Sequence, residues 1–162
     1  MNERISPIVT GSTAARQIER PPPEPLASAT GFLLSWNGRR AASEFAKALE
    51  PLGLRPPQFG LLTLIAVNPG KTQQQLVTDS LIDPSSMVAA IDELEELGLA
   101  ERRRHPSDRR KHAVHLTAKG KRTLNRAREA ASGMAEELLA PLSERERETL
   151  RRLLRKLAGV ES

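Results

Sequence analysis

The chain has 162 residues, with 25 Lys and Arg against 20 Asp and Glu and a formal net charge of +5, which suits one domain or two small ones. It has no cysteine, so disulfides, iron–sulfur clusters and cysteine nucleophiles are excluded. Its four aromatic rings are three Phe and one Trp, too few for a surface that stacks single-stranded bases.

The N-terminal segment 1–25 is rich in proline: it holds five of the twelve prolines and few apolar residues. Such a composition predicts a disordered, extended tail. The segment lacks the charged-then-apolar pattern of a signal peptide, and no apolar run in the chain approaches the roughly 20 residues of a membrane span. We therefore expect a cytoplasmic protein with no membrane partner.

Two helices are predicted next. Apolar residues recur at helical spacing from Ser28 to Leu52, and Gly53 follows as a stop signal. A second helix after Pro57 is apolar all round and ends at Asn68-Pro69-Gly70. A helix without a polar face is expected to lie buried in the middle of the fold.

A pair of short helices joined by a tight turn follows. Thr72 and Gln75 have the spacing of a capping box, which starts a helix to about Asp79. Asp83 is a suitable N-cap with proline directly after it, and the helix that it starts ends near Gly98. One face of this second helix is apolar and should point inward. It consists of Met87, Ile91 and Leu94.

The chain then changes to strand-like patterns over 99–104 and 112–116, separated by the turn residues 105–108. This predicts a β-hairpin whose Val114 and Leu116 face the core. Thr117 should cap a long helix to about Ala140. A last helix is predicted after a second capping box, Ser143 to Glu146, with a leucine stripe along it.

Positive charge concentrates on this hairpin. Residues 101–122 carry a net charge of +7, which leaves −2 for the rest of the chain. A segment so basic predicts contact with a polyanion, and guanidinium groups on a protruding loop suit phosphates and the minor groove of DNA. The alternative is a basic loop that is solvated and has no binding function. The cations at the tip are Arg104, Arg109, Arg110 and Lys111.

The order of helix, turn, helix, basic hairpin and helix is typical of a winged helix-turn-helix. Three pieces of sequence, residues 94–102 (LEELGLAER), Asp108-Arg109-Arg110 and Leu116-Thr117-Ala118-Lys119-Gly120, resemble the MarR family of multiple antibiotic resistance regulators. The resemblance extends over about residues 30–158. It implies a mainly α fold with a small β-hairpin wing, and an ion pair between Asp108 and Arg110 that stabilises the wing.

The resemblance also divides the chain. It implies an N-terminal dimerisation helix at 26–54, a winged helix-turn-helix DNA-binding domain at 55–118 and C-terminal dimerisation helices at 119–160. The implied function is a homodimeric, sequence-specific transcriptional regulator, a repressor, that a small and often phenolic ligand or aromatic acid releases from a palindromic operator. A winged-helix protein-interaction module with little sequence-specific DNA binding is the alternative.

Residues expected to contact double-stranded DNA lie at the helix starts and on the wing. The outward hydroxyls of the second helix can meet phosphates or bases, and its small apolar side chains can meet thymine methyls. Steep salt dependence of duplex binding would separate this function from the protein-interaction alternative. The full set is Thr72, Gln73, Pro84, Ser85, Ser86, Val88, Ala89, Arg104, Arg109, Arg110 and Lys111.

Two features depart from the family pattern. The recognition helix has no Lys or Arg between Asp83 and Leu97 but five acids, four of them in its second half, so guanine reading by an arginine of this helix is excluded. The turn before it reads Ser80-Leu81 where many relatives have Leu-Gly, so its geometry is expected to differ locally.

Two further sets of residues are candidates. Apolar stripes on the first and last helices exceed what neighbours can bury, which predicts pairing of two chains. This set is Leu33, Leu142, Leu150, Leu153, Leu154 and Leu157.

A ligand pocket is suggested by an aromatic ring beside arginines, although Trp36 alone is more often a core residue. This set is Trp36, Arg39, Arg40 and Phe59.

No catalytic site is predicted, because the sequence has no nucleophile–base pair, phosphate loop or metal motif. His112 and His115 of the second strand should point to opposite faces, and no acid lies at ligand spacing near them. We therefore expect neither a metal site nor a cofactor, and no enzymatic activity.

Overall fold

The computed structural model describes residues 21–160 except Leu81 and residues 106–107, and it describes only the backbone of residue 105 and residues 108–110. Most of the predicted disordered tail, and the distinctive residue of the Ser80-Leu81 turn, therefore lie outside the described residues.

Tertiary contacts divide the chain into two units, Met1–Phe45 and Ala46–Ser162. The first unit contains a one-turn helix α1, Glu24–Ala27, and most of α2, Thr30–Leu49. Helix α1 corrects the expectation that the whole segment to residue 25 is extended. Proline is tolerated in a first helical turn, where its missing N–H needs no partner, and the N–H groups of Leu26 and Ala27 bond to the carbonyl of residue 23.

The second unit opens with three helices after a single 3₁₀ turn: α3, Pro56–Val67; α4, Gln73–Thr78; and α5, Pro84–Glu96. The predicted N-cap of α5 is confirmed, and so is its inward face, because Met87, Ile91 and Leu94 are fully buried. Gly98, just past the end of α5, has a left-handed φ of 67°, as its predicted capping role requires.

Helix α3 is not buried all round, although its sequence is apolar on every side. Its buried residues lie at i, i+3, i+4 and i+7, as one helix face does; they are Gln58, Leu61, Leu62 and Ile65. Val67 at its end is 65 % exposed. The expectation of complete burial was therefore wrong: the surrounding elements cover a single stripe.

The hairpin consists of β1, Ala100–His105, and β2, Asp108–Leu116, paired antiparallel with Ala100 opposite Leu116. Strand β2 starts four residues earlier than predicted, because pairing continues to His105 opposite Asp108. Charged residues there favour a loop by propensity, and the ladder to β1 overrides that preference. The residues before α4 extend the hairpin, since the Val114 N–H donates to the carbonyl of Lys71 at 2.9 Å.

Two helices complete the unit: α6, Ala118–Leu138, and α7, Glu144–Leu157. Both predicted caps form: Thr117 accepts from the N–H of Gly120, and Glu146 accepts from the N–H and hydroxyl of Ser143. None of the described helices is long and apolar enough to cross a membrane. The core consists of residues with at most 9 % exposure: Leu49, Leu54, Leu61, Leu62, Ile65, Leu76, Met87, Ile91, Leu94, Leu99, Ala100, Ala113, Val114, Leu116, Leu124 and Ala127.

Candidate nucleic-acid interface

The recognition helix α5 starts with a fixed, exposed turn. One carboxylate oxygen of Asp83 accepts from the N–H groups of Ser85 and Ser86 at 3.1 and 3.0 Å and from the Ser85 hydroxyl at 2.6 Å. These bonds, that of the Ser85 side chain foremost, hold the pKa of Asp83 well below its usual range. The side chains around the turn are exposed and uncharged, as predicted: Pro84, Ser85, Ser86, Val88 and Ala89.

In the second half of α5, Glu93 is bound to the start of α3. The guanidinium of Arg55 donates to both of its carboxylate oxygens at 2.6–2.7 Å, and the side-chain amide of Gln58 donates at 3.2 Å. The Arg55 contact first, then that of Gln58, lowers the pKa of Glu93. Its charge is therefore directed toward α3 and compensated there.

Arg102 on β1 binds two more acids of the same helix. Its guanidinium lies 2.7 Å from Asp92 and also contacts Glu95, whose other oxygen accepts from the Arg102 N–H at 2.7 Å. A third bond, at 3.3 Å, reaches the side-chain oxygen of Gln73 on α4. One arginine, 25 % exposed, thus connects the wing to both helices of the helix-turn-helix.

The residues after α5 are held against the start of α6. The Thr117 hydroxyl donates to the carbonyl of Gly98 at 2.7 Å, and the Lys119 ammonium donates to that of Leu97 at 2.8 Å. A Cβ added at Gly120 would lie 1.9 Å from the carbonyl oxygen of Leu99, far inside contact distance. Glycine is therefore required at the last position of the Leu-Thr-x-x-Gly sequence by this close approach of two backbones.

Helix α4 uses the polar groups of its first residues internally. The predicted capping box is confirmed, because the Gln75 N–H donates to the Thr72 hydroxyl at 3.3 Å and the Thr72 N–H donates to the Gln75 side chain at 2.8 Å. Thr72 and Gln73 are half-buried. Among the predicted DNA contacts whose side chains the structure describes, these two are the least exposed.

The hairpin carries cations on both of its strands. Arg104 and Lys111 are exposed. The side chains of Arg109 and Arg110, and the predicted ion pair of Asp108 with Arg110, lie outside the described residues.

Comparison with known proteins identifies the family to which this chain belongs. The sequence model described as "MarR family" matches residues 52–111, from the turn before α3 into the wing. A candidate transcriptional regulatory protein for the hcr operon of Thauera aromatica is 36 % identical over 138 residues, which are 85 % of this chain and 83 % of the relative. The chain belongs to the MarR family.

Solved structures of transcriptional regulators of the family agree with this MarR-family assignment. The transcriptional repressor CouR bound to a 23-mer DNA duplex matches with a TM-score of 0.73 and 35 % identity, over 82 % of this chain and 94 % of that one. CouR from Rhodococcus jostii RHA1 bound to p-coumaroyl-CoA matches with a TM-score of 0.69 and 31 % identity, over the same shares. The predicted fold class, a mainly α winged helix with a β-hairpin wing, is confirmed.

The candidate ligand residues of this MarR-family chain fall in both units. In the first, the Trp36 ring stacks on Phe32 with centroids 5.9 Å apart, and Arg39 donates to the Ser35 hydroxyl at 2.9 Å, while Arg40 is exposed. In the second unit, Phe59 of α3 is half-buried. Their role as a ligand site stays a prediction.

Leucines of the last helix form an uncovered stripe. Leu153, Leu154 and Leu157 are 45, 43 and 73 % exposed in the single chain, whereas Leu142 and Leu150 are half-buried. Leu33, in the first unit, is also half-buried. The predicted excess of apolar surface is thus present on α7.

Sequence reasoning missed the roles of Arg55 and Arg102. The available signal was the spacing of the acids: Asp92 and Glu95 lie three residues apart, on one face of a helix, and a basic strand follows. The partner of Glu93 lies 38 residues away in sequence, so only the tertiary fold identifies it.

Among the described residues, no group of three His, Asp or Glu side chains could hold a metal ion. His112 is exposed, whereas His115 is half-buried on the same strand.

Proposed function

We propose that this chain is a homodimeric repressor that binds a palindromic operator sequence-specifically and is released from it by a small ligand of the aromatic-acid or phenol class. The observation that carries the proposal is the exposed, uncharged first turn of α5, fixed by Asp83, on a helix of which three other acids are bound by Arg55 and Arg102. The exposed first turn thus carries no charge other than the capping carboxylate of Asp83, and the chain also supplies a basic hairpin.

Physical reasons favour DNA as the partner. The dipole of α5 places partial positive charge at its N-terminus, where the N–H groups of Ser85 and Ser86 are bonded to Asp83, and exposed serine hydroxyls there can contact phosphates. Small side chains such as Val88 and Ala89 can approach base edges and thymine methyls closely. The wing supplies the cations that the helix lacks, so we expect much of the affinity to come from phosphate contacts and the minor groove. CouR, a relative bound to a DNA duplex, supports the same partner.

Arginine substitutions test the role of the wing. Arg110→Ala should weaken binding to a duplex from the protein's own promoter about tenfold, and should lower the slope of log affinity against log salt by about one, since one phosphate contact is lost. Arg152→Ala, on exposed α7, is the matched control and should leave both quantities unchanged. Equal losses would show that the wing does not touch DNA, and a flat salt dependence in the parent would favour the protein-interaction alternative.

The stripe on α7 supports the homodimer. Two copies that share one apolar patch associate around a two-fold axis, and such a dimer presents its recognition helices about one DNA turn apart, which a palindrome matches. Replacing Leu153 and Leu157 with Glu should produce monomers in light scattering and abolish operator binding. An unchanged mass would refute the assignment of α7 to the interface.

Ligand release requires linkage. The protein has a conformation that fits the operator and one that does not. A ligand lowers operator affinity only when its own affinity is higher for the conformation that does not fit. The structure of the relative CouR with p-coumaroyl-CoA supports a small-molecule effector for this chain as well.

A further inference from the structure

The outward face of α5 follows from its buried face. Met87 and Ile91 are buried in the core, and successive side chains of an α-helix are about 100° apart around its axis. Ala89 therefore lies nearly opposite the buried face, and Val88 lies beside it, on the side that also carries Asp92. Both apolar side chains are exposed, Val88 to 41 %.

No side chain in this part of the helix can read a purine by paired hydrogen bonds. Arginine reads guanine in that way, and asparagine or glutamine reads adenine, but residues 84–89 are one proline, two serines, one methionine, one valine and one alanine. The arginine that contacts the same side of the helix is Arg102, and its guanidinium is bonded to Asp92, Glu95 and Gln73. Apart from the two serines, direct base recognition by this half of α5 is left to apolar contact.

Val88 and Ala89 are suited to contact with a methyl group. A valine in a helix has one strongly preferred side-chain rotamer, so its two methyl groups are held in place before DNA binds. In the major groove thymine carries a methyl group at C5, whereas cytosine presents its amino group and no methyl. Contact between these methyl groups removes apolar surface of both molecules from water, which is favourable.

From this combination we propose that Val88 and Ala89 recognise the C5 methyl group of a pyrimidine in each operator half-site. The proposal rests on the proposed function, because it requires α5 to lie in the major groove. Since the two side chains carry no hydrogen-bonding group, they detect the methyl group rather than the base to which it is attached. The protein therefore accepts 5-methylcytosine at a position where it discriminates against unmodified cytosine, and methylation of that cytosine strengthens binding.

The first experiment uses the full chain and a duplex from the protein's own promoter, with the operator located by footprinting. Each thymine of the operator is replaced in turn by uracil, which removes the C5 methyl group and leaves the hydrogen-bonding groups of the base unchanged. Fluorescence anisotropy should show a loss of about fourfold in affinity at one or more positions in each half-site, as expected for burial of one methyl group.

The second experiment changes the base pair at such a position to C·G, with and without a methyl group on C5 of the cytosine. These two duplexes differ in the methyl group alone, and the methylated one should bind about fourfold more tightly. The double variant V88S/A89S removes the apolar groups and should bind both duplexes equally. Val67→Ser, at the exposed end of α3, is the matched control and should keep the preference of the parent.

Two results would overturn the proposal and leave the proposed function in place. One is duplex binding that no uracil substitution weakens. The other is a preference for the methylated duplex that V88S/A89S retains, as expected if the wing alone reads the operator through the shape of the minor groove. A parent chain that binds no duplex would overturn the proposed function and this proposal together.

Discussion

The two halves of the recognition helix differ in chemistry although they share one continuous α-helix. The first half, after Asp83, exposes hydroxyls and small apolar side chains and carries no net charge beyond the capping carboxylate. The second half carries four acids in five residues, and three of them are bound: Glu93 to Arg55, and Asp92 and Glu95 to Arg102.

This difference shows that the charge of a helix does not by itself indicate what the helix binds. In the sequence, acids on a recognition helix argue against DNA. In the structure, they attach the helix to α3 and to the wing, and so they fix the angle at which the uncharged turn is presented. The second half anchors the helix, and the first half is free to contact a partner.

The largest effect is expected from a substitution at the close contact between Gly120 of α6 and the Leu99 backbone, just after the anchored half of α5. Gly120→Ala places a Cβ 1.9 Å from the Leu99 carbonyl oxygen, so the backbones must separate, and we expect a loss of about 3 kcal/mol in the free energy of unfolding. Gly133→Ala, on the same helix with nothing within 4 Å of the added atom, should instead stabilise by about 0.5–1 kcal/mol. Urea unfolding at one fixed protein concentration checks both. Similar free energies of unfolding for the two variants would show that Gly120 and the Leu99 backbone are not closely packed.

Removing the cation that holds the anchoring acids should have the next largest effect. Arg102→Ala leaves Asp92 and Glu95 without their partner, and the loss of charged hydrogen bonds should reduce the free energy of unfolding by about 2 kcal/mol. Arg103→Ala is the matched control on the same strand. Its exposed pair with Glu101 should contribute less than about 1 kcal/mol. Equal losses from the two variants, again by urea unfolding, would mean that Arg102 is an ordinary surface arginine.

Local signals predicted most of the fold. Capping residues such as Thr72, Asp83 and Thr117 act on amides two or three residues away, so their partners could be read from the sequence, and each cap forms. The apolar face of α5 followed from periodicity for the same reason. Tertiary contacts were not predictable in this way: the length of β2 depends on its pairing with β1, and the burial of α3 depends on how many elements pack around it.

In the candidate site, too, the features set by local sequence were predicted and those set by tertiary contacts were not. The exposed face of the α5 turn was predicted correctly, because the inward face determines it. The pairing of the acids with Arg55 and Arg102 was not predicted from the sequence. Arg55 lies 38 residues before Glu93, and Arg102 lies seven residues after Glu95, on a strand. The uncompensated negative charge that α5 presents to a partner is therefore smaller than its sequence suggests.

The most direct test of the account compares a substitution in the first half of α5 with one at the residue that caps its C-terminal end. Val88 in the first half is 41 % exposed and Leu97 at the far end is 38 % exposed, and nine residues, about 13 Å of helix, separate them. Fluorescence anisotropy with a duplex from the protein's own promoter should show that Val88→Glu binds at least tenfold more weakly, equivalent to about 1.4 kcal/mol, whereas Leu97→Glu stays within about twofold of the parent. Full affinity in Val88→Glu, or an equal loss in both variants, would contradict the claim that the first half of this helix meets DNA and the second half does not.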